Sequence, residues 1–145
     1  MFLDEIRALA PEAAGYVVDM IALLAEDAAD RGIERAFLLA SEGTIASGIY
    51  QDRFGAESIE VMPASEEMQV RLRDFIEVVK QNKVDDAAKT EFAKYVRGLG
   101  ESYVILGCTE LPLLVDDSVE GVELLDPMQA AIDYVVRVQA EVARS

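Results

Sequence analysis

The chain contains no histidine and a single cysteine, Cys108, in 145 residues. Without histidine there can be no Ser-His-Asp or Cys-His catalysis, and nearly every common zinc site is excluded. One cysteine rules out an internal disulfide and suits a reducing compartment. Basic residues are scarce, 13 against 28 acidic ones, which leaves a net charge of −15. Such a field repels nucleic acid and anionic lipid, and it repels an acidic substrate too unless local donors or helix N-termini overcome it. Long apolar runs are missing as well. The longest, Ala13 to Ala25, is interrupted by Asp19 and is too short to span a bilayer. No basic-then-apolar signal peptide opens the chain. The expectation is a cytoplasmic protein with no membrane, nucleic-acid or metal partner.

What is present describes an ordinary globule: 52% hydrophobic and 28% charged residues, enough for one domain over residues 1–145 that buries about two thirds of its extended surface. Phe2 to Leu9 reads as a short helix ending before Pro11. Glu12 to Arg31 reads as a second helix stopped by Gly32, with Asp19, Glu26 and Asp30 on one narrow polar stripe. Ala36–Ala40 is a buried strand, followed by Ser41-Glu-Gly-Thr44 and a helix carrying Ile45, Ile49 and Tyr50. Ser58 to Met62 is a second strand closed by Pro63.

Glu66 to Gln81 has helical periodicity, and Asp85 or Asp86 caps a further helix ended by Gly98 and Gly100. Val122 to Leu125 is a fourth strand. Asp126 then caps the last helix, with Pro127 at its first position and Gln129 placed to reach back as in a capping box. That helix carries one polar line, Asp133, Arg137, Glu141 and Arg144, beside a broad apolar face. Strands alternating with helices predict an α/β, doubly wound, flavodoxin-like domain of about four parallel strands with helices on both faces.

The stretch Tyr103-Val-Ile-Leu-Gly-Cys-Thr-Glu-Leu-Pro112 organises the rest. Four apolar residues make a buried strand, and Cys108, Thr109 and Glu110 fall where that strand ends. In open α/β sheets ligands bind beyond this carboxyl edge. A cysteine there is often only a small core hydrophobe. A helix starting at Thr109 would favour thiolate, whereas Glu110 opposes it and Pro112 hinders such a start. Spacing alone leaves both readings open. Gly43 and Thr44, after the first strand, either grip a carboxylate or phosphate or belong to a simple helix cap. Lys80, near a helix end, reads without context as a solvated charge, and Asp126 as a cap.

Four ordered segments carry a resemblance: Leu38-Leu-Ala-Ser-Glu-Gly-Thr-Ile-Ala-Ser-Gly-Ile-Tyr50, Phe75-Ile-Glu-Val-Val-Lys-Gln-Asn82, Leu106-Gly-Cys-Thr-Glu-Leu-Pro112 and Leu124-Leu-Asp-Pro127. Together they resemble the aspartate/glutamate racemase family. The Gly-Cys-Thr-Glu form is similar to the aspartate racemase and broad-specificity branch, since glutamate racemases have His after Cys-Thr. The resemblance implies cofactor-independent racemisation, in which one cysteine thiolate removes the α-proton and a second thiol delivers another from the opposite face.

By position, the resemblance makes Cys108 one of these two groups and Lys80 the lysine that polarises Cys108 or the substrate. Gly43 and Thr44 would hold substrate carboxylate. Thr109 and Glu110 would line the pocket, with Glu110 meeting the substrate ammonium. Members of the family have two pseudo-symmetric lobes with one cysteine each, and this sequence resembles the second lobe only. The implied partner is an amino acid of the aspartate or glutamate class. The second thiol would come from a homodimer formed through the apolar helices 12–31 and/or 128–143. The alternative is a non-catalytic, truncated homologue acting as a small-acid-binding or assembly module.

Overall fold

The computed structural model describes residues 19–144. The expected helix over Phe2 to Leu9, and the part of the 12–31 helix before Asp19, lie outside the described residues.

β1 (Arg35–Leu39) is the centre of the sheet because its side chains alternate between two apolar layers. Ala36, Leu38 and Ala40 join Tyr50, Phe54, Ile105 and Leu125 in one cluster. Phe37 and Leu39 join Leu72, Phe75, Phe92, Val96, Val104 and Leu106 in the other. A strand apolar on both faces must be covered on both, which is the signature of a parallel sheet. Its neighbours are β2 (Glu60–Pro63), β3 (Tyr103–Leu106) and β4 (Glu123–Leu125), in the order β2-β1-β3-β4. All three pairings are parallel, with Phe37 opposite both Met62 and Val104. The expected doubly wound α/β fold is therefore present.

The helices are α1 (Met20–Asp30), α2 (Glu42–Ser47), α3 (Ile49–Gly55), α4 (Glu66–Lys80), α5 (Asp86–Gly98) and α6 (Pro127–Arg144). Leu24, Ala25 and Ala28 of α1, Tyr50 and Phe54 of α3 and Ala130 of α6 cover the first face. Leu72 and Phe75 of α4 and Phe92 and Val96 of α5 cover the second, with Leu111 and Leu114 from a single 3-10 turn, Leu111–Leu114. Among the described residues no helix is long and apolar enough to cross a membrane.

Four boundaries differ from the sequence reading, each for a local reason. Asp19 is not inside a helix: it is the extended N-cap of α1, accepting from the Ala22 amide at 3.0 Å. The segment after Thr44 is two helices, split where Gly48 takes the left-handed conformation at φ 69°. Ser58 stands at φ 60°, so β2 begins at Glu60 and ends on Pro63. β2 is an edge strand, where a missing N–H is tolerated. Asp126 does cap α6, through the Met128 amide at 2.9 Å, but Gln129 donates to Asp133 instead of closing a capping box.

The Asp19 cap also receives the Arg53 guanidinium at 2.8 Å, tying α1 to α3. Burial pushes this carboxyl up, but the Ala22 amide and Arg53 outweigh it and hold its pKa below the ordinary 3.8. Asp19→Ala is expected to remove about 1–2 kcal/mol of stability. Because the folded pKa is depressed, this contribution is present above the unfolded pKa and disappears as pH falls through the folded one. Urea midpoints of wild type and Asp19→Ala should therefore differ at pH 7 and converge in strong acid.

Candidate active site

In the order β2-β1-β3-β4 the chain leaves β1 toward one edge of the sheet, then returns to build β3 on its other side. The carboxyl ends of β1 and β3 thus flank the point where the winding reverses, where crevices open in such sheets. The segment after β1 supplies Ser41, Gly43 and Thr44, and the segment after β3 supplies Cys108, Thr109 and Glu110.

Gly107 makes the close approach of these two segments possible. Its amide donates to the Leu39 carbonyl at 2.7 Å. A Cβ built on it would lie 2.8 Å from the Ala40 Cβ and 2.9 Å from both the Leu38 Cδ1 and the Leu39 oxygen. Only glycine fits there without moving the two strands.

Ser41 opens α2 as its N-cap, accepting from the Thr44 amide at 3.3 Å while its hydroxyl lies 3.0 Å from that of Thr44. Gly43 and Thr44 are therefore in the first turn, and the cap is Ser41 itself. The backbone N–H of Ser41 lies close enough to the Cys108 sulfur to lower its pKa, which brings the two segments together. Next to Cys108 in the chain, the Thr109 hydroxyl lies 3.4 Å from the Glu110 carboxylate.

Cys108 is half-buried, packed against the cluster of Phe37, Leu39 and Leu106 on one side and open on the other. Burial pushes its thiol above the ordinary 9.0, and the nearby Glu110 charge adds to this; the Ser41 amide and Lys80 pull the other way without prevailing. After Glu110 the chain makes one 3-10 turn with Pro112 in it, too short for a helix terminus to reverse that balance. Lys80 ends α4 as an exposed residue, and its charge reaches Cys108. Of the six residues singled out from the sequence, Gly43 and Thr44 follow β1, Cys108, Thr109 and Glu110 follow β3, and the charge of Lys80 reaches Cys108.

Two further residues belong to this rim. Tyr50 is 3% exposed, and burial drives its hydroxyl well above the usual tyrosine range, with charge arising on Cys108 and Asp126 pushing the same way. Ser41 is the other. Its signal in the sequence is the Ser-x-x-Thr spacing of a cap; Tyr50 gives no signal beyond an apolar helix position. Two clefts, of about 290 Å³ between α1 and α6 and about 300 Å³ between α5 and the 3-10 turn, are lined by residues other than Cys108. Among the described residues no cluster of His, Cys, Asp and Glu could hold a metal ion.

The Asp/Glu/Hydantoin racemase family model matches residues 1–135. The chain belongs to that family. Its fold is similar to that of the Picrophilus torridus aspartate racemase, with TM-score 0.62 and 23% identity over 76% of this chain and 47% of that one. It is also similar to an aspartate racemase homologue from Pyrococcus horikoshii, with TM-score 0.69 and 26% identity over 85% of this chain and 56% of that one. A Yersinia pestis structure solved as a candidate Asp/Glu racemase gives TM-score 0.72 at 23% identity, over 92% of this chain and 60% of that one. The chain therefore spans about half to three fifths of the length of the structures it matches.

Proposed function

We propose that this chain supplies one half of a cofactor-independent amino-acid racemase site, acting on aspartate or glutamate. The observation that carries this reading is the close approach of the segments after β1 and β3, where the Gly107 amide donates to the Leu39 carbonyl and Ser41, with Thr44 beside it, comes near the Cys108 sulfur. In the proposed step the Cys108 thiolate takes the α-proton, its sulfur lone pair forming S–H as the C–H bond breaks. The electron pair left on carbon spreads into the α-carboxylate, held by Gly43 and Thr44. A second thiol on the opposite face then returns a proton to carbon. Thr109 and Glu110 border the substrate, and Glu110 receives its ammonium.

The chain has one cysteine, so the opposite thiol comes from a second subunit or lobe. In this reading the chain corresponds to one lobe of the two-lobed racemases. The exposed face of α6 suits such an assembly: Met128, Ile132, Val135 and Val136 are each 45–60% exposed, and together they form an apolar stripe of the kind that marks an interface. The raised thiol of Cys108 favours a second reading, a module that binds a small acid without turning it over. Solvent deuterium entering the α-position of aspartate or glutamate separates the two.

A raised thiol pKa has a definite kinetic sign. The base is the thiolate, so the proton-abstraction rate should climb with pH through neutrality toward and beyond 9.0, the thiol's ordinary value. Lys80 lowers that pKa, so Lys80→Met should shift the rise to higher pH while leaving the plateau within about tenfold of wild type. The pH profile of deuterium incorporation checks both. A profile flat across neutral pH removes Cys108 as the base.

A further inference from the structure

Tyr50 aside, Gln69 is the one buried residue with a polar side chain among the described residues, 5% exposed. Neither its Oε1 nor its Nε2 has a hydrogen-bond partner. Buried polar groups are almost always satisfied, and an exception calls for an explanation.

Its position supplies one. Gln69 lies in the second turn of α4, just beyond the N-cap Ser65, with its backbone amide donating to the Ser65 carbonyl. α4 starts at the carboxyl end of β2, which neighbours β1. One helical turn further on, Arg73 reaches Glu42 of α2 at 3.4 Å, so this part of α4 lies beside the Ser41–Thr44 segment. α4 also packs on the 3-10 turn that follows Cys108, and Cys108 contributes to the core cluster on that same sheet face.

We infer that Gln69 is a substrate-anchoring residue of the site, an assignment that rests on the racemase reading and deepens it. A primary amide presents one donor and one acceptor side by side. An amino-acid zwitterion is the complement, its carboxylate accepting from Nε2–H and its ammonium donating to Oε1. An aspartate or glutamate at this place could answer only the ammonium and would repel the carboxylate. The amide is buried, so under this assignment the ligand reaches it when the start of α4 leans outward. The seam is spanned on its outer side by the exposed Arg73–Glu42 pair, which is easily parted in water. Holding an unsatisfied amide in the interior lowers stability, a common trade at a functional site.

The test uses Gln69→Leu, with Gln69→Glu as a near-isosteric second variant. Melting temperature is read with and without aspartate, alongside the KM and kcat of α-deuterium exchange. Gln69→Leu should melt about 2–4 °C higher than wild type without ligand, because two orphaned polar atoms are gone. Its KM should rise about tenfold or more with kcat within a few-fold, the loss expected when a binding contact is removed. Gln69→Glu should lose affinity likewise.

A higher melting temperature with unchanged KM overturns the inference and leaves a packing defect. A lower melting temperature for Gln69→Leu also overturns it, since the amide would then be satisfied by internal water. Wild type without exchange, but with an aspartate-dependent rise in melting temperature that Gln69→Leu abolishes, sinks the racemase reading and keeps the anchor. Neither exchange nor aspartate-dependent stabilisation in wild type overturns both.

Discussion

Cys108→Ser should abolish α-deuterium incorporation into aspartate or glutamate, lowering its rate by a factor of about 10³ or more, within the range general acid–base groups supply. A serine hydroxyl is nearly isosteric with the thiol but far weaker as an acid, so at any workable pH it has no anionic form to take a proton. The change keeps the local packing: Cys108 is half-buried and the nearby Ser41 amide favours an oxygen no less than a sulfur. Urea unfolding should therefore give nearly equal midpoints for the two proteins, so that lost exchange cannot be ascribed to lost fold. Cys108→Ser with undiminished exchange would show that another group abstracts the proton. Lost exchange with an intact aspartate-dependent rise in melting temperature would show that the substrate binds independently of the sulfur.

The parts of this site that could be read from the sequence are those where one residue does one local thing. Tyr103–Leu106 announces a strand through four consecutive apolar side chains, so Cys108 had to fall at its carboxyl edge. Asp126 announces a cap because Pro127 follows it. The strand alternation of Ala36, Leu38 and Ala40 against Phe37 and Leu39 fixes two covered faces, and with them the fold class. The features that stayed hidden depend on partners distant in sequence or on competing local bonds. Asp19 looks like one more polar position on a helical stripe until Arg53 is placed beside it, 34 residues away. Gly48 breaks a helix because it adopts φ 69°, a choice its neighbours Ser47 and Ile49 do not reveal. Gln129 has the right spacing for a capping box, yet Asp133 one turn ahead competes for its amide and wins. The thiol pKa was open for a related reason: its sign depends on how deeply the sulfur is buried, which no local pattern encodes.

Gly107→Ala is expected to be the most damaging change outside the site's own chemistry, with a loss of about 3 kcal/mol, at the upper end of what overpacking usually costs. Set against a total stability of roughly 5–15 kcal/mol, that is a large fraction. The added methyl would meet three atoms at 2.8–2.9 Å, and none of them is free to yield. Leu38 and Ala40 are fully buried in the core of the central strand. The Leu39 oxygen already accepts the Gly107 amide at 2.7 Å, so pushing it away opens the β1–β3 ladder at the point where both strands turn toward the site. Gly43→Ala makes the contrast: nothing lies within 4 Å of its added Cβ, so inside α2 it should be neutral or stabilising by about 0.5–1 kcal/mol. Urea midpoints at unchanged m report the difference. Parting β1 from β3 would also move the Ser41 amide away from the Cys108 sulfur, weakening one of the two influences that lower its pKa. The pH at which Cys108 becomes reactive toward iodoacetamide should therefore move upward in Gly107→Ala and stay unmoved in Gly43→Ala. Equal midpoints and equal alkylation profiles for the two variants would mean that the close approach at Gly107 governs neither the sheet nor the thiol.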